Sequence, residues 1–220
     1  MLNIVSKTGM AGGLALGLLV YAAGTQAAPA AAEGGYIGVG VGRSDFHTGA
    51  GELNGSLASS GITATSTSVD DKGTGWKLFG GYRFNENLAV EGAYVDLGKL
   101  TFSSIITAPS SGTLTGEVKM KEGIYIDVVG MLPLNDMFSV YGKLGVYSMK
   151  TEISASLTGG GSASDSARNS DATIGVGGEI KFADNLAARA EWERFSKVGD
   201  SNKTGQGDVD LWSVNMLFRF

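Results

Sequence analysis

The segment DVDLWSVNMLFRF, residues 208–220, alternates between apolar and mixed positions. Trp212, Val214, Met216, Phe218 and Phe220 occupy one set of alternate positions, and the other set includes serine, asparagine and arginine. Because successive side chains of a β-strand point to opposite faces, this period predicts a strand with one wholly apolar face. A soluble β-sandwich could end in such a strand too, so the rest of the chain must decide.

Seven further segments show the same period of two. They are 35–46, 75–84, 88–97, 117–132, 138–149, 172–182 and 186–195. In the second of them, Trp76 and Leu78 alternate with Lys77 and Phe79. An even number of alternating segments, each about ten residues long, is typical of membrane-spanning β-barrels. The sequence therefore predicts an all-β fold, an antiparallel transmembrane barrel of eight strands.

The connections between these segments alternate in length. Short turns rich in Asn and Asp lie at 85–87, 133–137 and 183–185, and long Gly/Ser/Thr-rich stretches lie at 47–74, 98–116, 150–171 and 196–207. In outer-membrane barrels the short turns are periplasmic and the long loops are extracellular. A soluble eight-stranded barrel, such as a lipocalin, does not need this asymmetry.

The N-terminus has the order of regions found in a secretory signal peptide. Residues 1–10 carry one charge, Lys7, and are followed by an apolar run at 11–23 and a small-residue stretch at 24–32. The apolar run is shorter than the roughly 20 residues that a spanning helix needs. We expect residues 1–32 to be the signal and cleavage region, cut after Ala27, Ala30 or Ala32, and residues 33–220 to be the barrel. The absence of cysteine excludes disulfides and thiolate metal sites.

The charge balance argues against a nucleic-acid partner. The formal net charge is −5, with 17 basic and 22 acidic residues, whereas nucleic-acid binding requires a basic face.

A barrel in lipid turns its apolar face outward and encloses the other, since closure satisfies the backbone of every strand. The predicted enclosed ionic network comprises Lys77, Arg83, Glu91, Asp127, Lys143, Glu179, Arg189, Glu191 and Arg219, and the same parity adds Lys119, Lys121, Lys181 and Glu193. Eight strands leave room only for side chains and a few waters. Two interpretations stay open: a fixed, salt-bridged plug, or a narrow gated ion path in which pairs such as Glu91–Lys143 or Glu179–Arg189 exchange partners.

Aromatic residues concentrate near the ends of the predicted strands. They are Tyr36, Phe46, Trp76, Phe84, Tyr94, Phe138, Phe182, Trp192, Trp212 and Phe220. Such rings favour the headgroup level of a membrane, so the pattern predicts two interfacial girdles.

Catalytic and cofactor sites are not indicated. The single histidine, His47, begins the first long stretch, and the glycines of residues 34–42 lie in a strand with no following helix, unlike a phosphate-binding loop. The loop acids Asp70, Asp71, Asp165 and Asp171 do not form a calcium-binding loop. We predict no enzyme, no cofactor and no metal site.

Several segments carry a resemblance to the OmpA-like superfamily of eight-stranded outer-membrane barrels. These are GGYIGVGVGRSDF (34–46), WKLFGGYRFNENLAVEGAYVDLG (76–98), YGKLGVY (141–147), IGVGGEIKFADNLAARAEWERF (174–195) and the terminal segment. The resemblance implies location in the cell outer membrane of a Gram-negative bacterium, contact with lipid and lipopolysaccharide, and a C-terminal strand read by the barrel-assembly machinery through Trp212, Phe218 and Phe220. The chain ends at the eighth strand, so we do not expect a periplasmic peptidoglycan-binding domain.

Two functions follow from this resemblance. The first is a structural envelope role with at most a narrow gated ion pore. The alternative is a surface adhesin that binds a host ligand through its extracellular loops, although Ser/Thr-rich loops lack the aromatic and arginine anchors typical of binding hot spots.

Overall fold

A computed structural model describes residues 33–47, 50–59, 61–108, 111–201 and 203–220. The predicted signal peptide, residues 1–32, lies outside the described residues. The elements are β1 (Gly34–Phe46), α1 (Ala50–Ser59), β2 (Thr63–Asp70), β3 (Lys72–Arg83), β4 (Leu88–Asp96), β5 (Gly98–Ala108), β6 (Gly112–Pro133), β7 (Phe138–Leu157), β8 (Ser162–Ala183), β9 (Leu186–Asp200) and β10 (Gly205–Arg219). No helix in these ranges has both the length and the apolar character needed to cross a membrane.

Eight strands close into a ring in the order β1, β3, β4, β6, β7, β8, β9, β10 and back to β1. Every neighbouring pair is antiparallel. The first and last strands complete the ring, with Val41 opposite Val214 and Gly40 opposite Asn215. The predicted antiparallel barrel of eight strands is confirmed.

The two faces of the ring differ in polarity as predicted. Ile37, Val128, Leu144, Val176 and Val214 point outward and are between 39% and 64% exposed. This apolar band ends at Val41, Trp76, Ile124, Val146, Ile174 and Trp212 on one side and at the short turns on the other. An apolar exterior around charged interior residues is the inverse of a water-soluble barrel, and it suits a lipid environment.

The prediction of long loops is wrong for most of their length: strands extend through 98–116, 150–171 and 196–207, and the stretch 47–74 contains α1 and β2. β4 and β5 pair with β6 in one continuous register, Val95 opposite Gly123 and Gly98 opposite Met120. β7 and β8 remain paired as far as Ser156 and Ser162. We call this extension the protruding sheet: β2, β5, and residues 112–121, 150–157 and 162–171. The Ser/Thr-rich composition of these residues predicts loops. Backbone pairing can nevertheless hold serine and threonine in strands when neighbouring strands supply the hydrogen-bond partners.

A β-bulge separates the protruding sheet from the barrel on β6. Lys121 lies opposite Lys150, but Ile124 lies opposite Ser148, so β6 carries one extra residue, and Glu122 has a φ of 53°. An extra residue reverses which face the side chains occupy. Consequently Met120 is buried, and the prediction that Lys119 and Lys121 are enclosed is wrong: both lie on the outer face.

The short turns use side chains to satisfy the backbone. Asn85 Oδ1 accepts the Asn87 N–H at 2.8 Å, and Asn135 Oδ1 accepts the N–H groups of Met137 and Phe138 at 2.9 Å. These are the Asx turns expected of Asn at such positions.

Most of the predicted aromatic girdle residues face outward. Trp76, Tyr94 and Trp212 do so at one edge of the apolar band, and Phe84, Phe138, Phe182 and Phe220 at the other. Tyr36 and Phe46 are exceptions: they are 1% and 3% exposed and point into the barrel, so their assignment to a girdle is wrong. Their parity on β1 is that of Gly38 and Gly40, not that of Ile37.

A cluster of apolar side chains fills the barrel interior at the end near the protruding sheet and continues onto the inner face of that sheet. It includes Phe46, Leu97, Phe102, Met120, Met149, Phe195 and Leu211. Phe195 packs edge-on against Tyr125 and Tyr147, with ring centroids 5.7 Å and 5.5 Å apart. We call this group the apolar plug.

Candidate functional site

Ten charged side chains lie inside the barrel, below the apolar plug. The acidic members are Glu91, Asp127, Glu179, Glu191 and Glu193, and the basic members are Lys77, Arg83, Lys143, Arg189 and Arg219. With all of them ionised their formal charges cancel. Lys181, assigned to the same face, is only partly buried and lies near the turn end of β8.

Two lysines and three glutamates form the upper layer of this network. Lys143 Nζ lies 2.5 Å from Glu91 Oε1, 2.9 Å from Glu191 Oε2 and 3.4 Å from Glu193 Oε1. Lys77 Nζ pairs with Glu191 and Glu193. All five side chains are at most 1% exposed. Buried charges are tolerated when each is paired and hydrogen-bonded, and this layer meets that condition.

Arg189 joins the upper layer to a lower one. Its Nη1 donates to Glu91 Oε2 at 2.7 Å and its Nε to Glu179 Oε2 at 2.9 Å. Glu179 also accepts two hydrogen bonds from Arg83 Nη2, at 2.8 and 2.9 Å, and one from Arg219. Three guanidinium groups therefore surround a single carboxylate near the turn end of the barrel.

Neutral side chains, which the sequence did not lead us to include in the network, complete it. Tyr36 Oη donates to Glu91 at 2.9 Å, Tyr141 Oη to Glu191 at 2.8 Å, and Tyr125 Oη to Glu193 at 3.0 Å. Asn215 Nδ2 donates to Glu191 Oε1 at 2.9 Å. Strand parity would have found these residues, since each lies an even number of positions from an inward residue on its own strand.

Glycines on the inner wall leave room for these larger side chains. A methyl group at Gly81 would lie 2.5 Å from the ring carbon Cζ of Tyr36, and one at Gly40 would overlap the Asn215 amide. Glycine at these two positions, on β1 and β3, therefore relieves crowding in the narrow barrel.

Asp127 differs from the other interior acids. It is 2% exposed, and neither carboxylate oxygen has a hydrogen-bond partner among the described residues. Its strand neighbour opposite on β7 is Gly145, which supplies no side chain.

His47, which the sequence analysis considered as a catalytic candidate, lies outside the barrel interior. His47 lies at the protruding end, half exposed, with Nε2 3.7 Å from Asp210 Oδ2. Within the described ranges no cluster of three or more His, Cys, Asp or Glu residues has the arrangement of a metal site.

Trp212 and Phe218 lie on the outer face of β10 and Phe220 directly follows that strand, with 58%, 44% and 75% of their surface exposed. The Phe220 N–H donates to Gly35 O at 3.0 Å, so the last residue is hydrogen-bonded to the first strand.

A closed ring of eight strands with a lipid-compatible exterior and a charged interior defines a small integral β-barrel protein of the bacterial outer membrane. The OmpA-like transmembrane domain model matches residues 30–220, so the chain belongs to that family. It lies in the cell outer membrane, with the short turns periplasmic and the protruding sheet extracellular.

Relatives and solved structures agree with this membership. Outer membrane protein A of Salmonella typhi is 27% identical over 217 residues, covering 98% of this chain and 56% of the relative, and that of Shigella flexneri is 26% identical over the same span. The chain thus spans about half the length of the curated relatives it matches. The structure of OprG from Pseudomonas aeruginosa aligns with 85% of this chain and 96% of its own, at a TM-score of 0.50 and 14% identity, which is a likeness of fold.

Proposed function

We propose that the chain is a closed structural barrel, which anchors the protruding sheet in the envelope without forming an open pore. The observation that carries this is the ion pair between Arg189 on β9 and Glu91 on β4, strands that stand opposite each other in the ring. Both side chains are fully buried, and their 2.7 Å contact spans the interior.

Two further features support a closed interior. Arg83 on β3 and Glu179 on β8 are also on opposite strands, and their contact crosses the interior at a second level. The apolar plug covers the network on the extracellular side. An ion entering from that side would have to lose its hydration among apolar groups, which is costly.

Conductance of the refolded barrel in a planar bilayer tests this proposal. We expect a silent bilayer from protein whose folding is verified by heat-modifiable gel mobility. The variants Glu91→Ala and Lys143→Ala remove one partner of a central pair. Reproducible current steps from the wild type, altered in size by these variants, would instead establish a gated ion path.

We also propose that the chain is not an enzyme. His47 is exposed, and its nearest ionic contact is a carboxylate that already accepts two hydrogen bonds from Arg194, at 2.7 and 2.8 Å. Four of the five interior carboxylates, Glu91, Glu179, Glu191 and Glu193, are held by ion pairs, and the fifth, Asp127, is 2% exposed. All five lie beneath the apolar plug and so do not meet a substrate. When expressed in a strain that lacks the gene, the His47→Ala variant should restore every envelope phenotype that the wild-type protein restores.

The C-terminal strand is proposed to be the segment recognised by the barrel-assembly machinery. Its outward rings are exposed, and Phe220 is the most exposed large apolar residue of the described chain. A recognition role accounts for an exposed aromatic row at the last positions.

A second candidate function is attachment to a host surface through the protruding sheet. Residues 162–171 of β8 pair only with β7, so one edge of this sheet is open to hydrogen bonding. Open edges bind extended peptides. Removing Ile153–Asp165, which shortens the β7–β8 hairpin and leaves the barrel intact, should abolish adhesion of expressing cells to epithelial monolayers if this role is real and leave adhesion unchanged if it is not.

A further inference from the structure

A row of cations crosses three strands on the outer face of the protein. Lys121 on β6 lies directly opposite Lys150 on β7, which lies opposite Arg168 on β8. One rung further out, Lys119 on β6 lies opposite Lys99 on β5. We call these five residues the basic patch. Like charges directly opposite each other in a sheet are destabilising, and this chain is acidic overall, so the concentration of cations calls for an explanation.

Nearby carboxylates neutralise the patch only in part. Lys150 lies 2.6 Å from Glu152, Arg168 lies 3.6 Å from Glu122, and Lys99 lies 3.2 Å from Glu117, which also pairs with Lys119. Asp96, on the neighbouring β4, accepts the Gly98 N–H at 2.7 Å. Lys121 has no carboxylate oxygen within 4 Å in the described part of the chain, and it is exposed. Five cations thus face three paired carboxylates, with one lysine free.

The height of the patch relative to the membrane indicates its ligand. Ile124 and Val146 are the last outward apolar residues of β6 and β7, and the row of cations lies roughly 10 Å beyond them along the strands. Lysine and arginine side chains are long enough to reach back toward the membrane surface from that height. The patch also points sideways, on the same face as the lipid-facing residues.

We propose that the basic patch binds the phosphate groups of lipopolysaccharide in the outer leaflet. Lysine is a common point-charge ligand of phosphate, and arginine adds a planar pair of donors. The ligand is a phosphorylated glycolipid rather than a soluble polyanion, because the patch continues the lipid-facing surface and meets the headgroups of the lipids that contact Ile124 and Val146. Bound glycolipid would offset the repulsion within the row.

Binding of purified lipid A to the refolded barrel in nanodiscs tests this proposal. The probes are bisphosphorylated lipid A, the same lipid without phosphates, and soluble heparin. The test variant is Lys121→Gln/Lys150→Gln/Arg168→Gln. The matched control is Arg43→Gln/Lys72→Gln/Lys203→Gln, three exposed cations elsewhere at the extracellular end. Heat-modifiable mobility verifies folding of every sample.

We expect the wild type and the control to bind bisphosphorylated lipid A, and the test variant to lose about tenfold or more in affinity, since each surface cation contributes to anionic lipid binding. The form without phosphates should bind the wild type as weakly as it binds the test variant. Equal loss in the control would show a general charge effect and overturn the proposal. The proposal would also be overturned if the wild type bound lipid A with and without phosphates equally well, or if it bound heparin in preference to lipid A.

Discussion

Arg189 on β9 and Glu91 on β4 are four strands apart in either direction around the ring, yet Nη1 and Oε2 are 2.7 Å apart. A barrel of eight strands is narrow enough for one arginine to reach across it. Opposite walls of the barrel are therefore joined by side-chain contacts across the interior, in addition to the backbone hydrogen bonds between neighbouring strands. The stability of the barrel should therefore depend on interior residues that never touch lipid.

Arg189→Met should destabilise the barrel strongly. It removes the partner that Glu91 and Glu179 share and leaves buried carboxylates less well compensated, a change that costs about 3–5 kcal/mol in comparable buried pairs. Urea unfolding in lipid bilayers, followed by tryptophan fluorescence, measures the free energy of unfolding. Arg194→Met, on the outer side of the same strand, is the matched control and should have a much smaller effect. Similar effects of the two variants would contradict a central role for Arg189.

Val128→Arg should impair folding into lipid. Val128 lies on the outer face of β6, well inside the apolar band, and is 39% exposed. Arginine at the middle of the membrane costs about 2–4 kcal/mol. Thr115→Arg, on the outer face of the same strand within the protruding sheet, is the control and should fold like the wild type. An unchanged folding yield for Val128→Arg would mean that this face of β6 does not meet lipid.

The barrel was predictable from sequence because alternation is a local signal that each strand carries by itself. Val128 and Asp127 show it: adjacent residues, one outward and one inward, whose faces follow from parity alone. Lys119 and Lys121 were misassigned because the bulge at Glu122 depends on the pairing with β7, which the sequence of β6 does not reveal.

The protruding sheet and the ion pairs were harder to predict for a similar reason. The Ser/Thr-rich residues 150–171 have weak alternation, and only the partner strand holds them extended. Tyr36 and Phe46 were placed outside because aromatic rings near strand ends suit a membrane interface, while their parity places them inside with Gly38. The geometry of each ion pair depends on the shear of the whole barrel, a property that no single segment encodes.

Glu122→Gly should stabilise the protein. Glu122 adopts a φ of 53°, in the left-handed region, where a residue with a Cβ is less favourable than glycine by about 1 kcal/mol. The gain should appear as a higher midpoint of urea unfolding in lipid. Glu152→Gly, in regular strand on β7, should lower the midpoint instead, because glycine weakens a strand interior. A lower midpoint for Glu122→Gly would indicate that its contact with Arg168 outweighs the backbone strain.

The stability of the protruding sheet should fall at low pH through Glu117. Hydrogen bonds from Lys119 and from Lys99 hold the pKa of the Glu117 carboxyl below its ordinary value of 4.5. A carboxyl whose pKa is lower in the folded state contributes stability above its unfolded pKa and loses it as pH falls through the folded value. Glu117 in turn raises the pKa of Lys119 above 10.5. The contribution of Lys119 to the stability of the sheet is therefore present at neutral pH and is lost only as the solution becomes strongly alkaline.

Amide hydrogen exchange of residues 113–119 measures this effect. Wild type should exchange more slowly than Glu117→Gln near neutral pH, and the two should converge in acid. Glu86→Gln, in an exposed periplasmic turn, should leave these amides unchanged at every pH. A difference that persists in acid would show that the Glu117 charge is not its cause.

Phe220→Ala should reduce assembly in cells more than it reduces stability. The ring is 75% exposed and lies beside Gly35 at the periplasmic rim, while the Phe220 N–H bond to Gly35 survives the substitution. Loss of an exposed ring should therefore change the unfolding midpoint of refolded protein little, whereas loss of a recognition element should lower the amount of folded barrel in the outer membrane several-fold. Phe182→Ala, an exposed ring at the same rim, controls for lost contact with lipid. Equal yields of the two variants would mean that the terminal aromatic acts through lipid and that the assembly machinery does not read it.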